Sequence, residues 1–476
     1  MALAEDTELD LANPYLAGLY AAVDDELTAG DLEVIGEIPA DLDGIFVRNG
    51  PNPRFDPVGR YHWFDGDGML HAVRFEDGRA TYRNRFIATA ALARDRDAGR
   101  PLWRGVIEPV AANPADMPLK DTANTDVVWH RGSLLATWYL SGQPYALDPV
   151  SLDTLGPSDF GGTLPCRMSA HAKVDESSGE LFFFDYGPVR PWLRYGVVGA
   201  DGQVAHLVDI DLPGPRLPHD MAITARHAVV MDLPLVNDRE AARVGRHKIV
   251  FDPELPARFG VIPRYGAGAE VRWFEAEPCY IYHVVNSWEE GDEIVLDVCR
   301  VTKPEPAAGV GPLARMLSYL RLDAQLHRYR FDLARGTTSE QPLDDDNTEF
   351  PSVPSALVGR PTRFSYNVHI SPEPTLLFDG IVKYDTALGT SQRYLFGPGR
   401  WGSESPFAAR RGGTDEDDGY LVSFVHDAGT DRSEVVILSA ADPVAGPIGR
   451  VLLPQRVPIG FHACWVKGEW LADNPG

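Results

Sequence analysis

The segment ELFFFDYGPVRPWLRYGVVGADGQVAHLVDI (180–210) contains successive apolar stretches separated by Gly, Pro and Asp. Alternating β-branched and aromatic residues are typical of β-strands, and the intervening residues are typical of turns. The segment therefore predicts consecutive antiparallel strands. Similar stretches occur at HAVRFEDGRATYRNRF (71–86) and EIVLDVCRV (293–301), so the prediction extends along the whole chain.

A loose theme recurs between these stretches: a strand, an Asp, a Gly a few residues later, and another strand. Asp and Gly tolerate the backbone dihedrals of hairpin turns. Many hairpins without long helices indicate a β-propeller or a large β-sandwich. The theme appears in ALDPVSLDTLG (146–156), AKVDESSGEL (172–181), YRFDLARGTTS (329–339) and VKYDTALGTSQRY (382–394).

Helical patterns are few. NDREAARVGR (237–246) and GPLARMLSYLRLD (311–323) are predicted as short helices inserted between strands. Because no linker or low-complexity segment divides the chain, residues 1–476 are predicted to form a single domain.

Composition narrows the classes of function. The net charge is −25, with 44 basic and 69 acidic residues, and a surface this acidic repels nucleic acid phosphates. The four cysteines form no C-x-x-C pair, which favours a reducing compartment. The first residues, MALAEDTELDLANPYL, lack the apolar core of a signal peptide, so a cytoplasmic location is expected.

Four of the 13 histidines lie at or inside strands that are expected to be buried, and a buried imidazole needs partners for both nitrogens. They lie 48, 64 and 179 residues apart, which excludes a local metal-binding helix and suits ligands from different strands. They are His171 in MSAHAKVD (168–175), His219 in LPHDMAIT (217–224), His283 in CYIYHVVNSW (279–288) and His462 in PIGFHACW (458–465).

Neutral imidazoles favour iron, copper, zinc or nickel. No thiolate pattern accompanies them, which argues against copper(I) and structural zinc. Metal-bound histidines usually donate their second N–H to a carboxylate. Candidate carboxylates are Glu349 in DNTEFPSVP (346–354) and Glu416 in TDEDDG (414–419), although acidic loop residues are more often merely solvated.

Nearly the whole chain resembles the carotenoid cleavage oxygenase family, which includes carotenoid and apocarotenoid oxygenases and lignostilbene and isoeugenol oxygenases. The resemblance rests on many motifs in the same order. Besides the histidine and glutamate segments, they include NPYLAGLYAAVDDE (13–26), DLEVIGEIPADLDGIFVRNGPNP (31–53) and YHWFDGDGMLHAVRFEDG (61–78).

This resemblance implies an all-β, seven-bladed β-propeller with a dome of loops and short helices over the iron site. It implies that His171, His219, His283 and His462 bind Fe(II), with Glu349 behind His283 and Glu416 behind His462. It further implies that O2 is the co-substrate and that an alkene held beside it in an apolar tunnel is cleaved into two carbonyl products.

The sequence departs from the family at one expected carboxylate. The third family glutamate, which would orient His219, should lie four residues before the proline of WYLSGQPYALDP (138–149), where this chain has Leu140. We expect iron to bind, but less tightly than it would with a glutamate there.

The expected substrate is a carotenoid or apocarotenoid, because Phe64, Trp138, Tyr139 and Leu140 would form an apolar, aromatic wall. Enzymes that cleave stilbenes or phenylpropenes typically place a Tyr and a Lys near the positions of Val106 and Tyr139 here, and Lys120 is not at the matching place. A phenolic stilbene or phenylpropene remains the alternative.

The apolar segment Leu313–Leu322 is a candidate for weak contact with a membrane surface, with packing over the propeller as the competing interpretation. Two other functions stay open: a non-cleaving isomerohydrolase on the same scaffold, and a propeller binding module with a decayed iron site. The sequence does not determine the oligomeric state.

Overall fold

The strands form a seven-bladed β-propeller, which confirms the predicted fold class. The computed structural model describes residues 13–243, 248–304 and 320–472. Within these residues, the strands form seven sheets of four to six strands and one two-stranded hairpin.

Blades 2 and 3 are consecutive antiparallel meanders, each drawn from one continuous segment. Blade 2 contains β6 (Asp126–His130), β7 (Ser133–Thr137), β8 (Tyr145–Leu147) and β9 (Thr154–Pro157). Blade 3 contains β10 (Lys173–Asp175), β11 (Glu180–Tyr186), β12 (Leu193–Val198) and β13 (Val204–Ile210).

Blades 4, 5 and 6 follow the same scheme, with one additional hairpin inserted into blade 4. Blade 4 contains β14 (Ala222–Ile223), β15 (His227–Asp232), β18 (Ala257–Pro263) and β19 (Arg272–Ala276), and its hairpin β16 (Leu235–Asn237) and β17 (Ile249–Phe251). Blade 5 contains β20 (Tyr280–Glu290), β21 (Glu293–Val301), β22 (Ala324–Asp332) and β23 (Thr337–Pro342). Blade 6 contains β24 (Thr348–Ser352), β25 (Phe364–Ile370), β26 (Phe378–Asp385) and β27 (Thr390–Leu395).

Blades 1 and 7 each combine strands from both ends of the chain, and this pairing closes the ring. Blade 1 contains β1 (Thr28–Ala29), β3 (Gly44–Pro51), β4 (Gly68–Glu76), β5 (Arg79–Phe86) and β33 (Ala463–Lys467). Blade 7 contains β2 (Val34–Gly36), β28 (Arg400–Trp401), β29 (Phe407–Ala409), β30 (Gly419–Asp427), β31 (Arg432–Ser439) and β32 (Pro447–Leu452).

In three of the four segments the recurring Asp and Gly residues close hairpins inside blades, as the sequence predicts, whereas Gly156 of the fourth lies within β9. Each Asp side chain accepts a hydrogen bond from the backbone of its turn, and each Gly has a positive φ that favours glycine. The pairs are Asp175 with Gly179, Asp332 with Gly336, and Asp385 with Gly389.

Helices are short and peripheral. Within the described residues the α-helices are α1 (Ala90–Ala98), α2 (Arg239–Arg243) and α3 (Gly468–Ala472), and α2 lies within the helix predicted at 237–246. The helix predicted at 311–323 lies largely outside these residues. The 3-10 helices lie at Pro14–Leu16, Gly18–Tyr20, Trp63–Asp65, Val110–Ala112, Gly268–Glu270, Ser355–Leu357 and Pro443–Ala445.

Apolar clusters between neighbouring sheets form the core. Leu135, Phe183 and Val198, for example, pack blade 2 against blade 3. Another cluster includes Tyr15 and Trp63 from the dome, together with Phe350 and Phe461 from the top of the propeller. In each blade, the inner strand is the one nearest the propeller axis. The dome therefore rests on the end of the propeller where the inner strands begin.

Candidate metal centre and apolar cavity

The inner strands of neighbouring blades contact one another: β33 contacts β6, β14 contacts β20, and β20 contacts β24. Their beginnings consequently converge at the propeller axis. The four predicted histidines lie at or near these points, before β33, β10 and β14 and inside β20. Blades 1, 3, 4 and 5 therefore each supply one imidazole.

The four imidazoles form one cluster. The ring centroid of His171 lies 4.7 Å from that of His219, 5.0 Å from that of His283 and 4.5 Å from that of His462. One ring nitrogen from each of His171, His219 and His283 lies within 4.8 Å of the others. The structure thus brings together residues up to 291 positions apart in the chain, as the difference 462 − 171 shows.

Unpartnered nitrogens inside this cluster fit a metal ion. The Nε2 atoms of His171 and His283 are buried and have no hydrogen-bond partner among the described residues. Leaving a buried polar atom unpaired costs about 1–3 kcal/mol, so two such atoms within one histidine cluster need an explanation. A divalent metal bound by neutral imidazoles provides one.

Electrostatics keep most of these imidazoles neutral. Burial, followed by the proximity of the other histidines, holds the pKa values of His171 and His283 well below the usual range. Burial and the neighbouring His462 lower the pKa of His219 to about 3. Burial also opposes protonation of His462, but Glu404 outweighs it and raises the pKa of that residue.

Glu349 contacts His283, where the resemblance places it. Its Oε2 atom lies 2.5 Å from Nδ1 of His283, and the same oxygen accepts the backbone N–H of Phe350 at 2.6 Å. Glu349 is fully buried at the start of β24. Since Nδ1 is engaged, His283 presents Nε2 to the centre of the cluster.

The assignment of Glu416 to His462 is wrong, because the carboxylate at His462 belongs to Glu404. Oε1 of Glu404 lies 3.3 Å from Nδ1 of His462, and its other oxygen accepts the backbone N–H of Ala463. Glu416 instead accepts backbone N–H groups of Arg363 and Phe364 at 2.8 and 2.7 Å.

The reason for this error lies in the strand pattern of blade 7. Its inner edge is interrupted, since β28 and β29 both pair with β30, and Glu404 lies in the interruption. Glu416 lies in the loop from β29 to β30, at the other end of β29 from Glu404. In the sequence, Glu404 is marked only as an isolated acidic residue among small residues, in GSESPF (402–407).

Sequence reasoning also missed Asp126, which begins the inner strand of blade 2. Its Oδ2 atom accepts the backbone N–H of His171 at 3.0 Å and lies 3.8 Å from Nδ1 of the same residue. His171 has a φ of +66°, a left-handed conformation that is unusual for a non-glycine residue. Asp126 therefore holds His171 in a backbone conformation that it would otherwise adopt rarely.

A second missed residue, Asp220, directly follows His219. Its carboxylate lies 2.7 Å from Nζ of Lys173 and accepts the backbone N–H of Val284 at 2.8 Å. Lys173 is two residues from His171, and Val284 is adjacent to His283. One carboxylate thus ties together the histidine-bearing segments of blades 3, 4 and 5.

His219 differs from the other histidines in its surroundings. No carboxylate in the described part of the chain hydrogen-bonds to its ring. Leu140 is partly buried and packs with the cluster of Val106, Trp138, Tyr139 and Ala170. The third orienting carboxylate expected in the family therefore has no counterpart at this position.

An apolar cavity lies against the histidines on the dome side. His219, His283 and His462 line it together with aromatic and aliphatic side chains. The other lining residues are Trp63, Phe64, Thr125, Tyr282, Leu320, Leu322, Phe350, Leu376 and Phe461.

Of the four predicted substrate-contacting residues, Phe64 alone lines this cavity. Its ring lies 4.3 Å, centroid to centroid, from the rings of Tyr139 and Phe461. Trp138 and Tyr139 are buried and pack behind Phe64. Leu140 is partly buried and packs against the same cluster. The other three predicted residues therefore lie one layer behind the cavity wall. The alternation in the sequence shows that they are buried, but it does not show which buried side chains border a cavity.

Lys120 does not line the apolar cavity and is paired with two carboxylates. Its ammonium forms ion pairs with Asp67 at 2.6 Å and with Asp95 at 2.9 Å. Burial lowers its pKa, but the two carboxylates outweigh this effect and raise it. Lys120 therefore stabilises the packing of α1, with its ammonium engaged by two carboxylates.

The predicted membrane-contact segment Leu313–Leu322 lies largely outside the described residues, which resume at 320. Leu320 and Leu322 are buried and line the apolar cavity. No helix in the described residues is both long and apolar enough to span a bilayer. Cytoplasmic location and membrane-surface contact stay predictions.

Comparisons with known proteins identify one family over nearly the whole chain. The model of a family described as the retinal pigment epithelial membrane protein matches residues 20–467. A carotenoid 9,10(9′,10′)-cleavage dioxygenase 1 of Arabidopsis thaliana is 37% identical over 99% of this chain and 93% of its own length. A carotenoid cleavage oxygenase of Mycobacterium tuberculosis is 34% identical over 95% of this chain and 97% of its own length.

Solved structures show the same architecture. A lignostilbene dioxygenase of Pseudomonas brassicacearum matches with a TM-score of 0.87 and 30% identity, covering 96% of this chain and 99% of that chain. A cobalt-substituted apocarotenoid oxygenase of Synechocystis matches with a TM-score of 0.82 and 29% identity, covering 94% of this chain and 97% of that chain.

Proposed function

This chain belongs to the carotenoid cleavage oxygenase family, the family of the retinal pigment epithelial membrane protein, and from this premise we propose that it cleaves an alkene with O2 at a four-histidine iron centre. The reaction inserts one O2 per C=C bond and yields two carbonyl products, so its atoms balance without a further reductant.

One observation carries this proposal: four buried imidazoles converge beside an apolar cavity, and two of their inward nitrogens have no partner in the described structure. Fe(II) suits four neutral nitrogen ligands, and when bound it supplies the redox chemistry that O2 requires to react with an alkene. The lowered pKa values of His171, His219 and His283 keep these imidazoles neutral, so each has a nitrogen lone pair available for a metal.

The chain's own residues supply orientation and exclusion of water. Glu349 and Glu404 lie at Nδ1 of His283 and His462, so both rings would present Nε2 to a bound metal. Asp126 fixes the backbone of His171. Phe64 and Phe350 help form a dry wall next to the reacting alkene, where water would promote side reactions.

The proposed substrate is a carotenoid or apocarotenoid. The cavity is lined almost wholly by apolar side chains, and Lys120 is not among them but is paired with Asp67 and Asp95. The relatives of 36–37% identity are carotenoid 9,10(9′,10′)-cleavage dioxygenases. The cavity has a volume of about 30 Å³, so it accommodates only part of such a chain beside the histidines, where burial of apolar surface gains roughly 25 cal/mol per Å².

A phenolic stilbene is the second candidate. The structural likeness to a lignostilbene dioxygenase favours it, and Tyr282 places a phenolic side chain at the cavity wall. A non-cleaving isomerohydrolase or a decayed binding module would share the scaffold but release no carbonyl fragments.

The test is aerobic incubation of the Fe(II)-reconstituted full chain with apocarotenals, hydroxystilbenes and 4-hydroxyphenylpropenes, followed by mass detection of carbonyl products. Apocarotenoid fragments are expected, and a His283→Ala variant should form none. Aromatic aldehydes alone would replace the proposed substrate with the phenolic one. An iron-loaded protein that forms no fragment from any substrate would refute cleavage.

A further inference from the structure

A second cavity lies on the other side of the histidine cluster from the apolar cavity. Its inner part is lined by His171, His283 and His462, and its wider part, of about 440 Å³, extends along the axis between the inner strands. The two parts share lining residues, so they form one axial channel. The shared neck includes Val128, Lys173, Val284, Glu404 and Cys464.

The channel and the apolar cavity differ in chemistry. Asp126, Asp220 and Glu404 line the inner part of the channel, whereas the side chains around the apolar cavity carry no carboxylate. Lys173 is paired with Asp220 at 2.7 Å, which leaves Asp126 and Glu404 without a lysine or arginine partner in the described structure. This end of the channel therefore has an excess of negative charge, which attracts cations.

The wider part of the channel carries polar groups among mainly apolar side chains. The Oγ atom of Ser287 is buried there and makes no hydrogen bond to any described residue. His130 and Arg131 lie farther along the wall, and Arg131 is exposed. The channel thus runs from the face of the propeller opposite the dome to the back of the histidine cluster.

We propose that this axial channel is the route by which a divalent metal ion enters and leaves the centre, separate from the path of the alkene. The inference rests on the proposed metal site. A hydrated dication crossing the apolar cavity would lose water without compensation, at a large free-energy cost. In the channel, carboxylate oxygens can replace that water before the imidazoles do.

The neck offers a matched pair of variants at one position. Val128 lies in β6 with a half-buried side chain that borders both parts of the channel. Val128→Phe should narrow the neck, and Val128→Ala should widen it. Leu376→Phe is the control, because Leu376 lines the apolar cavity and not the channel.

The measurement is stopped-flow uptake of Co(II) by the metal-free full-length chain, with release followed by transfer to an excess chelator. Val128→Phe should slow both uptake and release by tenfold or more. A narrower neck slows entry and exit of the metal by the same factor. The dissociation constant should therefore change by less than about twofold. Val128→Ala should accelerate both rates, and Leu376→Phe should match the wild type.

Three outcomes would overturn the inference. Wild-type uptake rates in Val128→Phe would exclude the channel, and slower uptake in Leu376→Phe alone would assign the route to the apolar cavity. Failure of the wild-type chain to bind one Co(II) would instead refute the metal site itself. If Val128→Phe does not fold, Ser355→Trp serves in its place, because Ser355 is exposed at the wide part of the channel.

Discussion

Replacing Glu404 with glutamine should weaken metal binding, whereas the same change at Glu416 should not. Glu404 accepts two hydrogen bonds, one from Nδ1 of His462 and one from the backbone of Ala463. A glutamine side chain has one acceptor oxygen and one donor NH2 group. In Glu404→Gln, one of the two N–H donors must therefore face another donor.

The expected magnitude follows from the orienting role. Loss of a carboxylate behind a metal-bound histidine typically lowers metal affinity 10- to 100-fold, which corresponds to about 1.4–2.7 kcal/mol. Glu416 also accepts two backbone N–H groups, from Arg363 and Phe364. Because Oε1 of Glu416 accepts both N–H groups, a glutamine can keep both hydrogen bonds, so Glu416→Gln should lower the free energy of unfolding by at most about 1 kcal/mol and leave metal affinity unchanged.

The assay is anaerobic Fe(II) titration against a competing chelator, with the melting temperature of each metal-free variant measured in parallel. Both variants should lose some stability, and Glu404→Gln alone should lose affinity. Equal affinities in the two variants, or a larger loss in Glu416→Gln, would refute the assignment of Glu404 to His462.

Four other substitutions test further parts of the structure. Leu140→Glu should slow the release of iron to a chelator if the introduced carboxylate accepts from His219, and release at the wild-type rate would count against that role for position 140. Phe64→Leu should raise KM for an apolar alkene because Phe64 lines the cavity, whereas Trp138→Phe should lower the melting temperature with an unchanged KM; a reversed pattern in steady-state kinetics would restore Trp138 to the wall. Burial opposes ionisation of Glu289, but hydrogen bonds from neighbouring side chains and backbone outweigh it and lower its pKa from 4.5 to about 2. Glu289→Gln should therefore cost roughly 2 kcal/mol of unfolding free energy at pH 7, and in chemical denaturation the difference should shrink as the pH falls from 4.5 towards 2; a difference independent of pH would exclude this linkage.

Local chemistry made much of the propeller predictable. Turn formation depends on residues a few positions apart, so the Asp and Gly residues of the hairpins could be read directly from the chain. The alternation within 180–210 likewise predicted strands, which the structure has as β11, β12 and β13. The number of blades came from the resemblance, because the repeat is too irregular to count.

The histidines were predictable for a related reason. Each lies in an apolar context that indicates a buried strand, and a buried imidazole requires a partner. Their convergence could not be derived from spacing, because it depends on seven sheets closing into a ring. Closure requires β33, from the end of the chain, to pair with β3 near its beginning.

The sequence by itself determined the strands, their turns and the four histidines that are buried at or inside strands. Only the tertiary structure decided which carboxylates reach those imidazoles and which aromatic rings border the cavity. Glu404 and Glu416 lie on either side of one short strand, so their chemical likeness in sequence says nothing about which end faces His462. A contact between blades depends on strand register and on interruptions such as that between β28 and β29, and packing among residues distant in sequence sets both.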